Sequence, residues 1–274
     1  MEVIKDLRRL SPRNMDRAYE QSKKYRIVND IMIQKVVTTT RKGMMSEAAR
    51  TMGEKHIGSL IVVENDEPIG IVTERDLLSK VLMRGLDPLK VEVERVMSSP
   101  LISIDLSTTI KETARMMVKT KGRLAVFDSG KLVGIVTASD LIKTIPQVAE
   151  TLLKVDDFMT KKVITADETT KVSAISRTMG EKRIGSVVIT RDGKPIGIFT
   201  ERDLLTTFLA AGRSLEVEVG MVCSSPFLVI PSLTTINETA YIMASKHIRR
   251  LGIVENGVLV GIITARDLVA AYAM

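Results

Sequence analysis

Residues 50 to 59 read RTMGEKHIGS and residues 177 to 186 read RTMGEKRIGS, while PIGIVTERDLL from Pro68 returns as PIGIFTERDLL from Pro195. Both pairs carry the same offset of 127 residues. Weaker relatives, VGIVTASDLI from Val133 and VGIITARDLV from Val260, stand at that separation too. The shared threonine recurs at 73, 137, 200 and 264, so the period is 63 to 64 residues and the chain is four units in the order A, B, A′, B′. A repeat constrains the fold more than any single motif. A unit this short cannot bury its own apolar face and must pack on another copy.

Within a unit, the β-branched stretch KVVTTT (35–40) predicts an opening strand. A helix follows, with apolar residues at i, i+4 and i+7: Met45, Ala49 and Met52 in the first unit, Ile110, Ala114 and Met117 in the second, Ile236, Ala240 and Met243 in the fourth. The nearly continuous apolar run SLIVVE predicts a buried strand, and Asn65, Asp66 and Pro68 predict a turn. The strand IGIVT and a second helix, RDLLSKVL, complete the unit. The expected fold class is α/β (α+β), four small sheets each with two helices.

Composition narrows the function classes. The chain is 45% apolar with five Phe and no Trp, so its cores are aliphatic. No run approaches the roughly 18 to 20 apolar residues of a membrane span, and the charged opening MEVIKDLRRL does not fit a signal peptide, so a cytoplasmic protein with no membrane partner is expected. The single cysteine, Cys223, has no partner for a disulfide and no companions for a metal site; a small packing residue explains it best. Of the net charge of +7, more than half comes from residues 1–27, which hold eight Lys and Arg against four Asp and Glu. Ser11 before Pro12 reads there as an N-cap and first helical position, so 1–27 is expected to be an appended basic helix.

The most repeated polar feature is a Thr and an Asp three residues apart where a strand meets a helix: Thr73 and Asp76, Thr137 and Asp140, Thr200 and Asp203, Thr264 and Asp267. One reading is a capping box, the hydroxyl capping the helix and the carboxylate reaching back to the N-cap amide. The other is a ligand site. A helix start favours a phosphate, and a carboxylate accepts hydrogen bonds from a vicinal diol, so a ribose phosphate satisfies both. Arg75, Arg202 and Arg266 precede three of these aspartates and add fork-shaped donors; the second unit has Ser139 instead.

The phrase G-h-h-T-x-x-D-L (h, apolar) at about 60-residue intervals, preceded by D-h-M at Asp30–Met32 and Asp157–Met159, resembles the cystathionine-β-synthase-type (CBS) domain. The D-h-M phrase is looser at Met97 and Cys223. The resemblance implies CBS units at 28–82, 93–146, 155–209 and 216–272, paired as two Bateman modules, 28–146 and 155–272, in a flat disk. It implies binding of AMP, ADP, ATP or S-adenosylmethionine in clefts between paired units, with no catalytic cofactor and no enzymatic activity. The four aspartates would then hold ribose, with the neighbouring threonines on ribose or phosphate and the arginines on phosphate. Val37 and Thr38, and Ile164 and Thr165, would lie beside adenine. Between first helix and second strand the family often places further basic residues; here these are His56, Arg183, His247, Arg249 and Arg250, with Arg250 the strongest phosphate candidate. The second unit departs most, being one residue shorter and lacking the Arg, so two or three working sites are expected.

A stand-alone sensor needs a protein partner or self-association to report what it binds. The alternative is a nucleic-acid-associated regulator using the basic N-terminal segment, but no helix-turn-helix phrase is present and only nine aromatic residues are available for base stacking. The phosphate-loop-like Gly53-x-x-x-x-Gly58-Ser59 lacks the required Lys and lies in an expected helix, which argues against a nucleotide-hydrolysing enzyme.

Overall fold

The computed structural model describes residues 26–120, 122–145, 152–209 and 213–274. The helix expected at 1–27 lies outside these apart from Arg26 and Ile27. Each repeat builds one three-stranded sheet. In the first, β1 (Thr38–Thr40) leads through α1 (Met45–Glu54) to β2 (Ser59–Glu64), and β3 (Glu67–Thr73) returns beside it. The second has β4 (Ser103–Asp105), α2 (Ile110–Thr120), β5 (Leu124–Asp128) and β6 (Lys131–Val136). The third has β7 (Thr165–Asp167), α3 (Val172–Glu181), β8 (Ser186–Arg191) and β9 (Lys194–Thr200). The fourth has β10 (Val229–Pro231), α4 (Ile236–Ser245), β11 (Arg250–Glu255), β12 (Val258–Thr264) and α5 (Ala265–Ala273).

In every sheet the middle strand pairs parallel with the first and antiparallel with the last, with a register shift at one place, such as Val62/Val63. The first strand is shorter than expected: of 35–40 only Thr38–Thr40 joins the ladder. The helix stripes are those of the sequence, with Met45, Ala48, Ala49 and Met52 buried on α1 and Ile110, Ala114 and Met117 on α2. Thr235 caps α4, its hydroxyl accepting from Glu238 N at 3.1 Å while the Glu238 carboxylate accepts from Thr235 N at 3.1 Å. The expected second helix varies more. After the Glu74–Asp76 turn the chain widens into a π-helix over Leu77–Val81, and the third repeat does the same over Leu204–Leu209. The second repeat has a short turn, Ala138–Leu141, and among the described residues only the fourth continues as the regular helix α5.

The chain divides into two compact units, and neither is a contiguous half. One joins residues 35–101 to 162–228, the first repeat with the third; the other joins 26–34 and 102–161 to 229–274, the second with the fourth, apart from the undescribed residues. Helix packing joins alternate repeats into these units. In the first of these units two cores exchange a leucine. Leu77 lies in the core of the first repeat and Leu78 in that of the third, while Leu204 lies in the third and Leu205 in the first. Neighbouring positions on a helix point about 100° apart, so a helix lodged between two cores can feed both.

The D-h-M segments are exchanged as well. Ile33 N donates to Ile135 O at 2.8 Å, and Met32 lies against Gly134 on β6 of the second repeat rather than on the first repeat's own sheet. Met97 lies against Gly70, Met159 against Gly261 and Cys223 against Gly197. The repeated glycine of G-h-h-T is therefore the floor on which a sulfur rests, that of Cys223 as well as those of the three methionines. Burial raises the Cys223 thiol above its ordinary range.

Candidate functional site at the T-x-x-D turns

All four turns close in the same way. Thr73 N and Oγ1 donate to Asp76 Oδ2 at 2.9 and 2.6 Å, and the distances are 3.0 and 2.7 Å at Thr137, 2.8 and 2.8 Å at Thr200, and 2.8 and 2.8 Å at Thr264. In the first and third repeats the aspartate amide donates back to the threonine hydroxyl at 3.2 and 3.3 Å. The capping box is present in every copy. It consumes one carboxylate oxygen and leaves Oδ1 to decide what else the turn can do.

That oxygen differs from copy to copy. Asp76 Oδ1 holds Lys80 Nζ at 2.7 Å, and Asp140 Oδ1 holds Lys143 Nζ at 3.2 Å. Among the described residues Asp203 Oδ1 accepts only from Ser224 Oγ, at 3.4 Å, and Asp267 Oδ1 has no partner. The helix-start amides are less available than the sequence implied. Glu74 N and Glu201 N each donate to a glycine carbonyl at 3.2 Å, and Ala265 N donates to Arg249 O at 2.9 Å. A phosphate at these turns would therefore depend on side chains more than on bare amides.

The arginines separate the repeats into two kinds. Arg75 Nε lies 3.1 Å from Glu201, and Arg202 Nε lies 3.3 Å from Glu74, so the first and third turns face each other through two reciprocal ion pairs. Both glutamates are largely buried, their side chains 12% and 6% exposed, and each offsets the charge of the opposing arginine. The second and fourth repeats carry Ala138 and Ala265 where these glutamates stand. They carry instead an arginine at the head of the middle strand. Arg250 stands opposite Thr264 in the ladder, and Arg123 takes the same place before Leu124 in the second repeat, whereas the first and third have Ser59 and Ser186 opposite Thr73 and Thr200. Arg123 is the residue that sequence reading missed. The signal was the R-L pair opening both RLAVF and RLGIV, hidden by the shorter loop of the second repeat.

The residues expected beside the base lie on or next to the first strand of their sheets. Thr38 and Thr165 are exposed on the first strand of their sheets, and Val37 and Ile164 pack against the apolar cores. Since the middle strand separates β1 from β3, Thr38 and the turn at Thr73 stand on opposite sheet edges, about 10 Å apart at ordinary strand spacing. His56, Arg183 and His247 share another role: each is the left-handed residue that ends the preceding helix, with φ of 52°, 53° and 54°, and each side chain is exposed. Among the described residues no cluster of His, Cys, Asp and Glu is placed to hold a metal ion, and no helix is long and apolar enough to cross a membrane.

Comparison with known proteins agrees with this architecture. The family described as CBS domain matches residues 28–83, 93–147, 155–210 and 219–274. An uncharacterized protein of Methanopyrus kandleri is 38% identical over 128 residues, 46% of this chain and 65% of that protein. A Methanocaldococcus jannaschii protein is 31% identical over 196 residues, 66% of this chain and 69% of its own length. Its crystal structure, described as that of a proposed archaeal homolog of g-AMPK, superposes with a TM-score of 0.74 at 21% identity, covering 90% of this chain and 100% of that one. The chain thus spans about two thirds of the length of these two relatives. A homoserine O-acetyltransferase of Methanosphaera stadtmanae is 39% identical over 114 residues, but these are only 23% of that enzyme. With four matched copies, each built on one three-stranded sheet and a T-x-x-D turn, the chain belongs to the CBS-domain family.

Proposed function

We propose that the chain is a regulatory protein that binds adenine nucleotides at its T-x-x-D turns and reports occupancy to a protein partner or a second copy. The observation that carries this reading is Asp267 Oδ1, a half-buried carboxylate acceptor beside a capped helix start with no partner of its own among the described residues. A ribose diol supplies the two donors that such an oxygen accepts. The described similarity of the M. jannaschii relative to g-AMPK supports the same class of ligand. The fourth repeat suits a phosphorylated ligand best, since Arg250 stands opposite Thr264 at its turn, Ala265 takes the place of the glutamate of the first and third turns, and no lysine among the described residues holds Asp267. Asp76 and Asp140, each already held by a lysine, are the harder acceptors to reach. The role is binding, and the signal is the difference in affinity between two arrangements of the protein.

Calorimetry with AMP, ADP, ATP and S-adenosylmethionine tests this. Asp267→Asn keeps a side-chain oxygen for the cap but turns the second acceptor into a donor. We expect it to weaken the best ligand by about 1 to 3 kcal/mol, roughly 5- to 150-fold. Unchanged affinity together with a lowered Tm would reduce the turn to a helix cap and sink the nucleotide site in the fourth repeat.

A further inference from the structure

Beside the helical segment that follows the first T-x-x-D turn lies a cavity of 680 Å³, lined by Lys80, Arg84, Lys90 and Arg95 with Asp87 as its only carboxylate. Asp87 is partly engaged, its Oδ1 accepting from Leu89 N at 3.0 Å. Lys80 is held at the inner wall, donating to Val96 O at 2.5 Å and to Asp76 at 2.7 Å. Arg84, Lys90 and Arg95 make no ion pair or side-chain hydrogen bond among the described residues. Three uncompensated cations around one concavity repel one another, and a cleft with low-dielectric walls focuses their field on whatever enters.

The fold does not require these cations. The third repeat is the near twin of the first, yet counting 127 residues on from Lys80 and Arg84 gives Thr207 and Ala211. Counting back from the shared Ser-Ser-Pro at 98–100 and 224–226, Lys90 and Arg95 correspond to Glu216 and Met221. All four basic residues are absent from the copy that otherwise keeps T-E-R-D-L-L. Packing or capping would have kept them in both.

We infer that this cavity is an anion site for a small compound bearing several phosphate charges. Two guanidinium groups can each offer a fork of donors to phosphate oxygens, and Lys90 adds a point charge. A concavity of this volume matches a small molecule rather than a polymer. The cavity borders the first T-x-x-D turn through Lys80, which pairs with Asp76, but Arg84, Lys90 and Arg95 lie outside every such turn, so the proposed anion contacts do not require a nucleotide there.

The test uses the full chain and tripolyphosphate, which carries the charges without adenosine. The variant Arg84→Ala, Lys90→Glu, Arg95→Met installs the third repeat's residues at three exposed positions and leaves every T-x-x-D turn intact. Calorimetry in about 0.15 M salt, where exposed charges are screened beyond about 8 Å, should give saturable binding to the unmodified chain. In the variant the affinity should fall about tenfold or more, the loss of roughly one charge-assisted contact or several. A matched control, Arg8→Ala, Arg9→Ala, Arg13→Ala, should bind as the unmodified chain does. No saturable binding, equal affinity in the cavity variant, or loss only in the N-terminal control would each overturn the site.

Discussion

A single residue type shows how closely these repeats are specified. Gly134 lies beneath Met32, and a Cβ there would come 2.5 Å from the Met32 sulfur and 3.2 Å from Ile33 O. The methionine can move, but the carbonyl is tied into the bridge to Ile135. Gly134→Ala should therefore cost about 1 to 3 kcal/mol, the usual range for overpacking, read as a shift in denaturant midpoint with unchanged m-value. Gly130→Ala is a poor control, because its φ of 81° strains any side chain. The aspartates show the opposite economy. One oxygen of Asp267 holds the cap and the other has no partner among the described residues, so a residue whose repetition marks it as structural still has an acceptor to spare.

At the level of the element, the segment after the T-x-x-D turn carries the connection between repeats. Leu205 is 1% exposed and sits in the core of the first repeat, although its own chain segment belongs to the third. Leu205→Ala should destabilise the protein by about 2 to 5 kcal/mol, as large-to-small changes in cores do. The location of the damage is the sharper test. Hydrogen exchange should show lost protection in α1 and β2, which line that core, and loss confined to α3 and β8 would contradict the exchanged packing. The reciprocal pairs of Arg75 with Glu201 and Arg202 with Glu74 lie at the same junction. They are partly exposed and add little to stability; their consequence is to lower the net positive charge of the first and third turns.

At the level of the whole molecule, each compact unit draws on both halves of the sequence. A fragment of residues 1–150 would hold the first repeat without the third and the second without the fourth, leaving the helix faces at α1 and α2 uncovered. Because the first and third repeats are near twins, a second copy of the fragment can supply the missing face. The fragment should therefore sediment as a homodimer at micromolar concentration, the interface closing as a two-fold pair. A folded monomer with native-like exchange protection would show that a half-chain buries its own core.

The four-unit order, the strand and helix content of each unit, the buried helix stripes and the T-x-x-D motif were all legible in the sequence. Each rests on local chemistry: periodicity, turn residues, and a Thr and an Asp close enough to bond whatever surrounds them. The sequence could also say that Arg75 and Arg202 stand beside an aspartate. It could not say that each faces a glutamate about 126 to 128 residues away, because that contact joins segments with no local relation. Nor could it say that Met32 rests on Gly134, that Leu205 fills the first repeat's core, or that helix packing joins alternate repeats into compact units. Near-identical repeats offer each apolar face several equivalent partners, and only the packing of the whole chain decides which of them it meets.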